Sequence, residues 1–328
     1  MSAVLIKLKL ANPKEWSGQK LRDLTLASLF PAIGLAVFLV LWQLGAQQIN
    51  TSLGTFPGPM QVVEQWNNLV DEHQHEMQRE QAFYDRQEQR NTAMLQKNPE
   101  ADVSWRDFNG RVTFFDQILT SLWTVLSGFF LATLIAIPLG IIIGLNKHIY
   151  NAINPIIQIF KPVSPLAWLP LVTLVVSAVY VSDEPIFSRA FLVSMITVTL
   201  CSLWPTLVNT SVGVGSVNQD LKNVSKVLRL GWLTYVIKVV IPSAIPMMFT
   251  GLRLSLGIAW MVLIAAEMLA QSPGLGKFVW DEFQNGSSSS LSRICVAVLV
   301  IGVIGFLLDR AMLFIQKWAN WDKSTVAR

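Results

Sequence analysis

Charge is what this sequence has least of. Asp, Glu, Lys and Arg make up 14% of its 328 residues, where a soluble domain carries about 25%, and the mean hydropathy is +0.46. Such a composition excludes an ordinary soluble enzyme and a disordered chain alike. Cysteine is nearly absent. Cys201 and Cys295 both fall inside apolar runs, give no disulfide framework, and read as small buried apolar residues. Only three histidines occur, so no Ser-His-Asp or Cys-His set can be assembled. His73 and His75 lie beside Glu72 and Glu76, but helix positions i and i+2 point apart; the reading is a solvated face, not a metal site. A Gly-x4-Gly-Lys-Ser/Thr phosphate loop is also missing. The GLGKF at 274–278 lacks both its spacing and its hydroxyl residue.

What is abundant is apolar sequence in long runs, several near the roughly 20 residues that cross a bilayer as one helix. Six spans are expected, at about 28–46, 118–145, 166–181, 190–212, 250–270 and 292–316. The basic start (Lys7, Lys9, Lys14, Lys20, Arg22) precedes an apolar stretch too long for a cleaved signal, so the first span reads as retained. Pro155, Pro162, Pro165 and Pro170 puncture the approach to the third, which predicts a broken or re-entrant piece before it. Gly140 and Gly144 form a G-x-x-x-G pair that permits close helix approach.

Lys and Arg set the orientation. Segments 1–27, 146–161, 213–253 and 310–328 hold 16 basic residues and, with Asp309 at their edge, 5 acidic ones. Segments 47–116, 182–190 and 271–293 hold 9 basic and 15 acidic residues. The first set therefore faces the cytoplasm, both termini included, and net charge of +4 is a membrane signature and not one of nucleic-acid binding. The expected organisation is an N-terminal segment 1–27, a first span 28–46, an external insertion 47–116, a core of five spans over 117–316, and a tail 317–328. The insertion runs from Pro59 to Lys97 without a further Gly or Pro, which suits a helix. Its apolar stripe (Val62, Trp66, Leu69, Val70, Met77, Tyr84) is sparse.

The inner stretch 213–249 says more. Leu221, Val224, Val227, Leu228, Trp232, Tyr235, Val236 and Val239 recur at helical spacing beside a basic stripe of Lys222, Lys226 and Arg229. This predicts an amphipathic helix at about 218–241, stopped by Pro242 and Pro246. Its surface fits either a cytoplasmic partner or anionic lipid.

The form NVSKVLRL in this stretch, with Val239-Val240-Ile241-Pro242 closing it, resembles the signature loop of ABC-importer permeases. Asn223-Val224-Ser225 stands where that loop has Glu-Ala-Ala, and Arg229 where it has Gly. FKPVSPLAWLPL (160–171), SLWPTLVNTSVGV (202–214), FTGLRLSLGIAWMVLIAAEML (249–269) and GLGKFVWDEF (274–283) are similar to segments of nitrate, sulfonate (taurine) and bicarbonate permeases, the nitrate type above all. The resemblance covers about 115–316 and leaves out 70–112. It implies an all-α polytopic fold of the type I ABC importer permease, in a bacterial plasma membrane. It also implies a second permease copy, two ATP-binding subunits that carry ATP and Mg, and an extracytoplasmic substrate-binding protein. No cofactor is expected in this chain.

On that reading, Lys222, Asn223, Val224, Ser225, Lys226, Val227, Leu228, Arg229, Leu230, Gly231 and Trp232 form the coupling helix that seats in the ATPase. Thr199, Ser202, Thr206 and Asn209 follow i, i+3, i+7, i+10 on one helix face. They offer donors to a small oxyanion along the route, or bond to their own and neighbouring helices. Glu267, the deepest ionisable group in a span, either shapes the route or bonds nearby backbone. Arg253 reads equally as a snorkelling or a gating cation. A gradient-driven transporter would instead require inverted repeats and buried ion ligands; no clear repeat is visible.

Overall fold

The apolar runs form helices because a bilayer offers backbone N–H and C=O groups no partner but their own chain. The computed structural model describes residues 18–51, 54–98, 102–181, 186–287 and 289–319. Lys7, Lys9, Lys14 and the tail from 320 onward lie outside the described residues. Among the described residues, five helices are long and apolar enough to cross a membrane, and a sharply bent pair would make a sixth.

The chain divides into two compact units. The first comprises residues 1–67 and 286–296. Its α1, Gly18–Ala46, starts ten residues before the expected span. From Leu29 onward α1 exposes nearly every side chain, with Trp42 half-buried and Ala46 buried, the pattern of a lipid-facing helix. A short hairpin follows, β1 Asn50–Thr51 with β2 Gly54–Thr55. The Trp42 indole donates to the Pro57 carbonyl (3.1 Å). The helix α2, Pro59–Lys97, begins in this unit and is tied at its start by the Gly58 N–H donating to Gln61 Oε1 (2.9 Å).

The second unit, 68–285 and 297–328, holds the rest of α2 and the core. The insertion is a 39-residue helix, as its composition predicts, and it carries a bonded polar stripe besides the apolar one. Residues 104–113 run back along α2. Gln87 exchanges two bonds with the Arg106 backbone (3.0 and 3.1 Å). Tyr84 Oη accepts from Phe108 N–H and Glu76 from Arg111 N–H, while His73 Nδ1 pairs with Thr113 Oγ1 (2.8 Å). Of the expected apolar stripe Val62 and Leu69 are buried and Met77 is exposed, while the polar Gln87 and Asn91 are buried as well. His73 is thus joined to the strap and packed on Phe115, not on a solvated face; His75 remains exposed.

The core is built on α6, Arg189–Gly215, between α3, Phe114–Leu145, and α9, Ile241–Ala270. Small residues on α3 recur every fourth position, Gly128, Ala132, Ala136 and Gly140, all buried. At Gly144 a Cβ would fall 2.5 Å from the Ser211 carbonyl oxygen and 2.7 Å from Val214 Cβ, so the two backbones meet there as closely as glycine allows. Between α3 and α6 lie α4, Lys147–Phe160, and α5, Pro165–Val179, bent 97° to each other. This is the broken piece that the prolines predict, with Pro165 opening α5. Leu169, Val172 and Val176 of α5 pack with Val193 and Ala266. After α9 come α10, Leu275–Asn285, and α11, Ser290–Ala319. Cys201 and Cys295 are free and half-buried.

Candidate functional site

Two features emerge: an exposed turn between α6 and α9, and a buried polar network at the far end of α9. The first opens with α7, Gln219–Val227. Asn218 caps it, its side chain accepting from Asp220 N–H (2.9 Å). Asp220 in the first turn and Lys226 in the last complement the helix dipole. The helix then ends in a tight loop. Leu230 N–H donates to the Ser225 carbonyl (3.1 Å) and Arg229 N–H to that of Lys226 (3.0 Å), with Arg229 left-handed at φ 46°. This is the Schellman arrangement, whose left-handed position favours glycine.

The structure therefore corrects the single amphipathic helix expected over 218–241. The chain breaks at Arg229 and restarts as α8, Trp232–Tyr235. Nor do Pro242 and Pro246 stop it. A wide π turn over Val236–Val240 relaxes the backbone that the Pro242 ring would otherwise strike. The helix then runs on through Pro246 to Ala270. On the turn, Val227 is 82% exposed, Leu228 63% and Trp232 67%. Lys226 and Arg229 are exposed beside them, Lys222 is half-buried, and Ser225 is buried with its hydroxyl donating to the Lys222 carbonyl.

At the other end, Glu267 is fully buried and saturated. Its carboxylate accepts from Ser121 Oγ (2.7 and 2.9 Å) and from Gly276 N–H (2.9 Å). Ser121 Oγ in turn accepts from Leu275 N–H (2.9 Å). Serine and carboxylate together satisfy two of the free N–H groups that open α10 and tie it to α3 and α9. Gly274, at φ 154°, passes so close that any Cβ would strike the carboxylate. Ser194 and Ser272 add a hydroxyl pair nearby (2.7 Å).

The α6 face sits between helices. Thr199 donates to the Met195 and Gly128 carbonyls, and Asn209 to that of Pro205 (2.8 Å). Thr206 pairs with Ser255 through both N–H and hydroxyl (3.1 and 2.7 Å), and Ser255 Oγ also donates to the Ser202 carbonyl. The Ser202 hydroxyl is buried without a partner among the described residues. Arg253 is paired with Asp309 on α11, fork to fork, Nη2 lying 3.0 Å from Oδ2. Sequence reasoning missed Ser121, Ser255 and Asp309, each supplied by a different helix. The one trace of them is the four-residue spacing of Gly251, Ser255 and Ala259 on α9.

An all-helical membrane core with an exposed turn between two of its most buried spans defines a polytopic membrane protein. Residues 136–320 match the family described as binding-protein-dependent transport system inner membrane component, and the chain belongs to that family. It is 35% identical over 286 residues to the nitrate import permease protein NrtB of Synechocystis sp., covering 87% of each chain. It is 33% identical over 306 residues to the bicarbonate transport system permease protein CmpB of Synechococcus elongatus, covering 93% of this chain and 92% of that one. Among solved structures, the inward-facing MetNI methionine ABC transporter aligns at a TM-score of 0.54 with 13% identity, over 63% of this chain and 95% of that chain.

The fold is thus that of a type I ABC importer permease. The chain is a transport component of the inner membrane, not an enzyme, and works with an ATPase and a substrate-binding protein.

Proposed function

We propose that this chain carries nitrate into the cell as one of two identical permease subunits, over two ATP-binding subunits that hold ATP and Mg. The observation that carries the coupling role is the exposed α7 turn. Its apolar tip (Val227, Leu228, Trp232) is solvent-facing, while its ends are fixed by the Asn218 cap and the Arg229 loop. A rigid apolar tip rimmed by Lys226 and Arg229 suits a groove in a partner, and residues 222–232 seat there. The excess of basic residues in 213–253 supports a cytoplasmic position for it and for both termini. ATP-driven closure below then alternates the pair between outward-open and inward-facing states.

Nitrate as the cargo is supported by the similarity to a nitrate import permease over 87% of both chains. Bicarbonate is the second reading, favoured by the match to a bicarbonate permease over 93% of this chain. The test is ATP hydrolysis by the complex purified through this chain, in liposomes with its binding protein, against nitrate, bicarbonate and taurine in turn. Turnover stimulated by nitrate supports the proposal. Stimulation by bicarbonate or taurine alone replaces the substrate, and a preparation with no ATPase overturns the coupling role.

A further inference from the structure

The strap is bonded along one face of α2 at Gln87 and Tyr84, and the face next to it is open. On that second face Glu72, Glu76, Arg79, Phe83, Arg86 and Arg90 follow i, i+4, i+7, i+11, i+14, i+18, the alternating spacing of a seam on which two helices meet. Glu72, Arg79, Arg86 and Arg90 are exposed, while Glu76 and Phe83 are half-buried. An open groove of about 390 Å³ lies along Arg79, Phe83 and Arg86. A helix this polar needs a neighbour or pairs of its own to hold it, and on this face it has the ion pair of Glu76 with Arg79 (2.8 Å).

The seam is acidic at its start and basic at its end. Laid against a copy of itself in the opposite direction, it matches in a single register. Glu72 then meets Arg90, Glu76 meets Arg86 and Arg79 meets Phe83, and a two-fold axis repeats each pair. Glu76 already holds Arg79 and the Arg111 N–H, and the remaining lone pairs of its carboxylate serve Arg86 of the second copy. A guanidinium over the Phe83 ring is attracted by its negative face. Laid in the same direction, the seam would set Glu on Glu and Arg on Arg.

We infer that α2 pairs antiparallel with α2 of a second copy of this chain through this seam. The inference rests on the proposed pair of identical permease subunits and names where they meet outside the apolar core. Copies in one membrane keep the same side out, so their two-fold stands along the bilayer normal. Antiparallel contact across that axis lays both helices flat over the membrane surface, bridging the subunits.

The test uses a chain whose Cys201 and Cys295 are replaced by Ala, assembled with its ATPase and oxidised mildly in its membrane. Glu72→Cys with Arg90→Cys should give a disulfide-linked chain dimer. Either substitution alone should give none, since antiparallel pairing leaves like positions roughly 27 Å apart. Glu72→Cys with Glu88→Cys, which lies off the face, should give none either. A second pair on the seam, Asn68→Cys with Met94→Cys, reports the charges. Adding Glu72→Arg should cut its yield about threefold, and adding Arg90→Glu as well should restore it. A yield that ignores both reversals refutes the charge pairing. Copies carrying two different tags are purified in parallel. If the tags co-purify and the cysteines at 72 and 90 give no dimer, the seam is overturned. Single cysteines that link, marking a parallel contact, or a product that joins this chain to the binding protein in place of the dimer, overturn it too. If the tags do not co-purify, the reading of two identical subunits fails and the seam falls with it.

Discussion

Glu267→Ala is the sharpest probe of the buried network. The substitution removes an acceptor that serves two donors, Ser121 Oγ and Gly276 N–H, at 2.7–2.9 Å. Both lie in a buried network, and each donor left unpaired there costs about 1–3 kcal/mol. Together they amount to about 2–6 kcal/mol. A kcal/mol shifts the midpoint of a 150–250-residue domain by about 2–4 °C; at that rate unfolding should come roughly 4–24 °C earlier. Glu267→Gln keeps the shape and one acceptor oxygen but turns an amide N–H₂ toward a donor, and should lose about half as much. The assay is a thiol-reactive dye, since Cys201 and Cys295 are free and half-buried in helices and become fully reactive on unfolding. An alanine variant that melts within about 2 °C of wild type would refute the reasoning.

Four further outcomes follow from the geometry. Lys226→Glu with Arg229→Glu reverses the rim of the α7 turn and should abolish transport while leaving the protein expressed and folded; wild-type uptake by the double variant would count against the docking role. Arg229→Gly relieves a left-handed residue that costs about 1–2 kcal/mol, so it should raise the midpoint by a few degrees in the same dye assay. Gly144→Ala forces a Cβ against the Ser211 carbonyl and Val214 and should cost about 1–3 kcal/mol, whereas Gly257→Ala, which meets nothing within 4 Å, should leave stability unchanged or slightly higher. Gln87→Ala removes both bonds to Arg106 and should make 102–113 the first site of trypsin cleavage, at Arg106 or Arg111; an unchanged digestion pattern would show that the strap is held elsewhere.

Features that repeat along one helix were legible in the sequence, and features that join helices were not. Hydropathy located the spans, and the absence of Gly and Pro from 60–97 announced α2. The α6 polar face was visible as a face, but its partner Ser255 is 49 residues beyond Thr206, and Ser121 lies 146 residues before Glu267. No local pattern encodes such pairings. The break at Arg229 was hidden for another reason. A left-handed turn is usually signalled by glycine, and here arginine occupies it. Pro242 misled because the π turn that accommodates it leaves no mark in composition, and Pro246 because the helix runs on through it. The strap along α2 was obscured because Gln87 and Asn91 are hydrophilic, and polarity alone reads as exposure.

From Trp232 to Glu267 the chain is one helical rod of α8, the π turn and α9. At 1.5 Å per residue it is roughly 50 Å long. A tilt of about 5° imposed at the α7 end would sweep the Glu267 end through roughly 4–5 Å, further than a hydrogen bond can stretch. The rod is therefore a lever, with the α7 turn as its handle and the Ser121–Glu267–Gly276 network as the latch at its tip. A small push at the handle has only two results. The latch holds and the rod flexes at its π turn, or the latch opens and α10 is released as a unit.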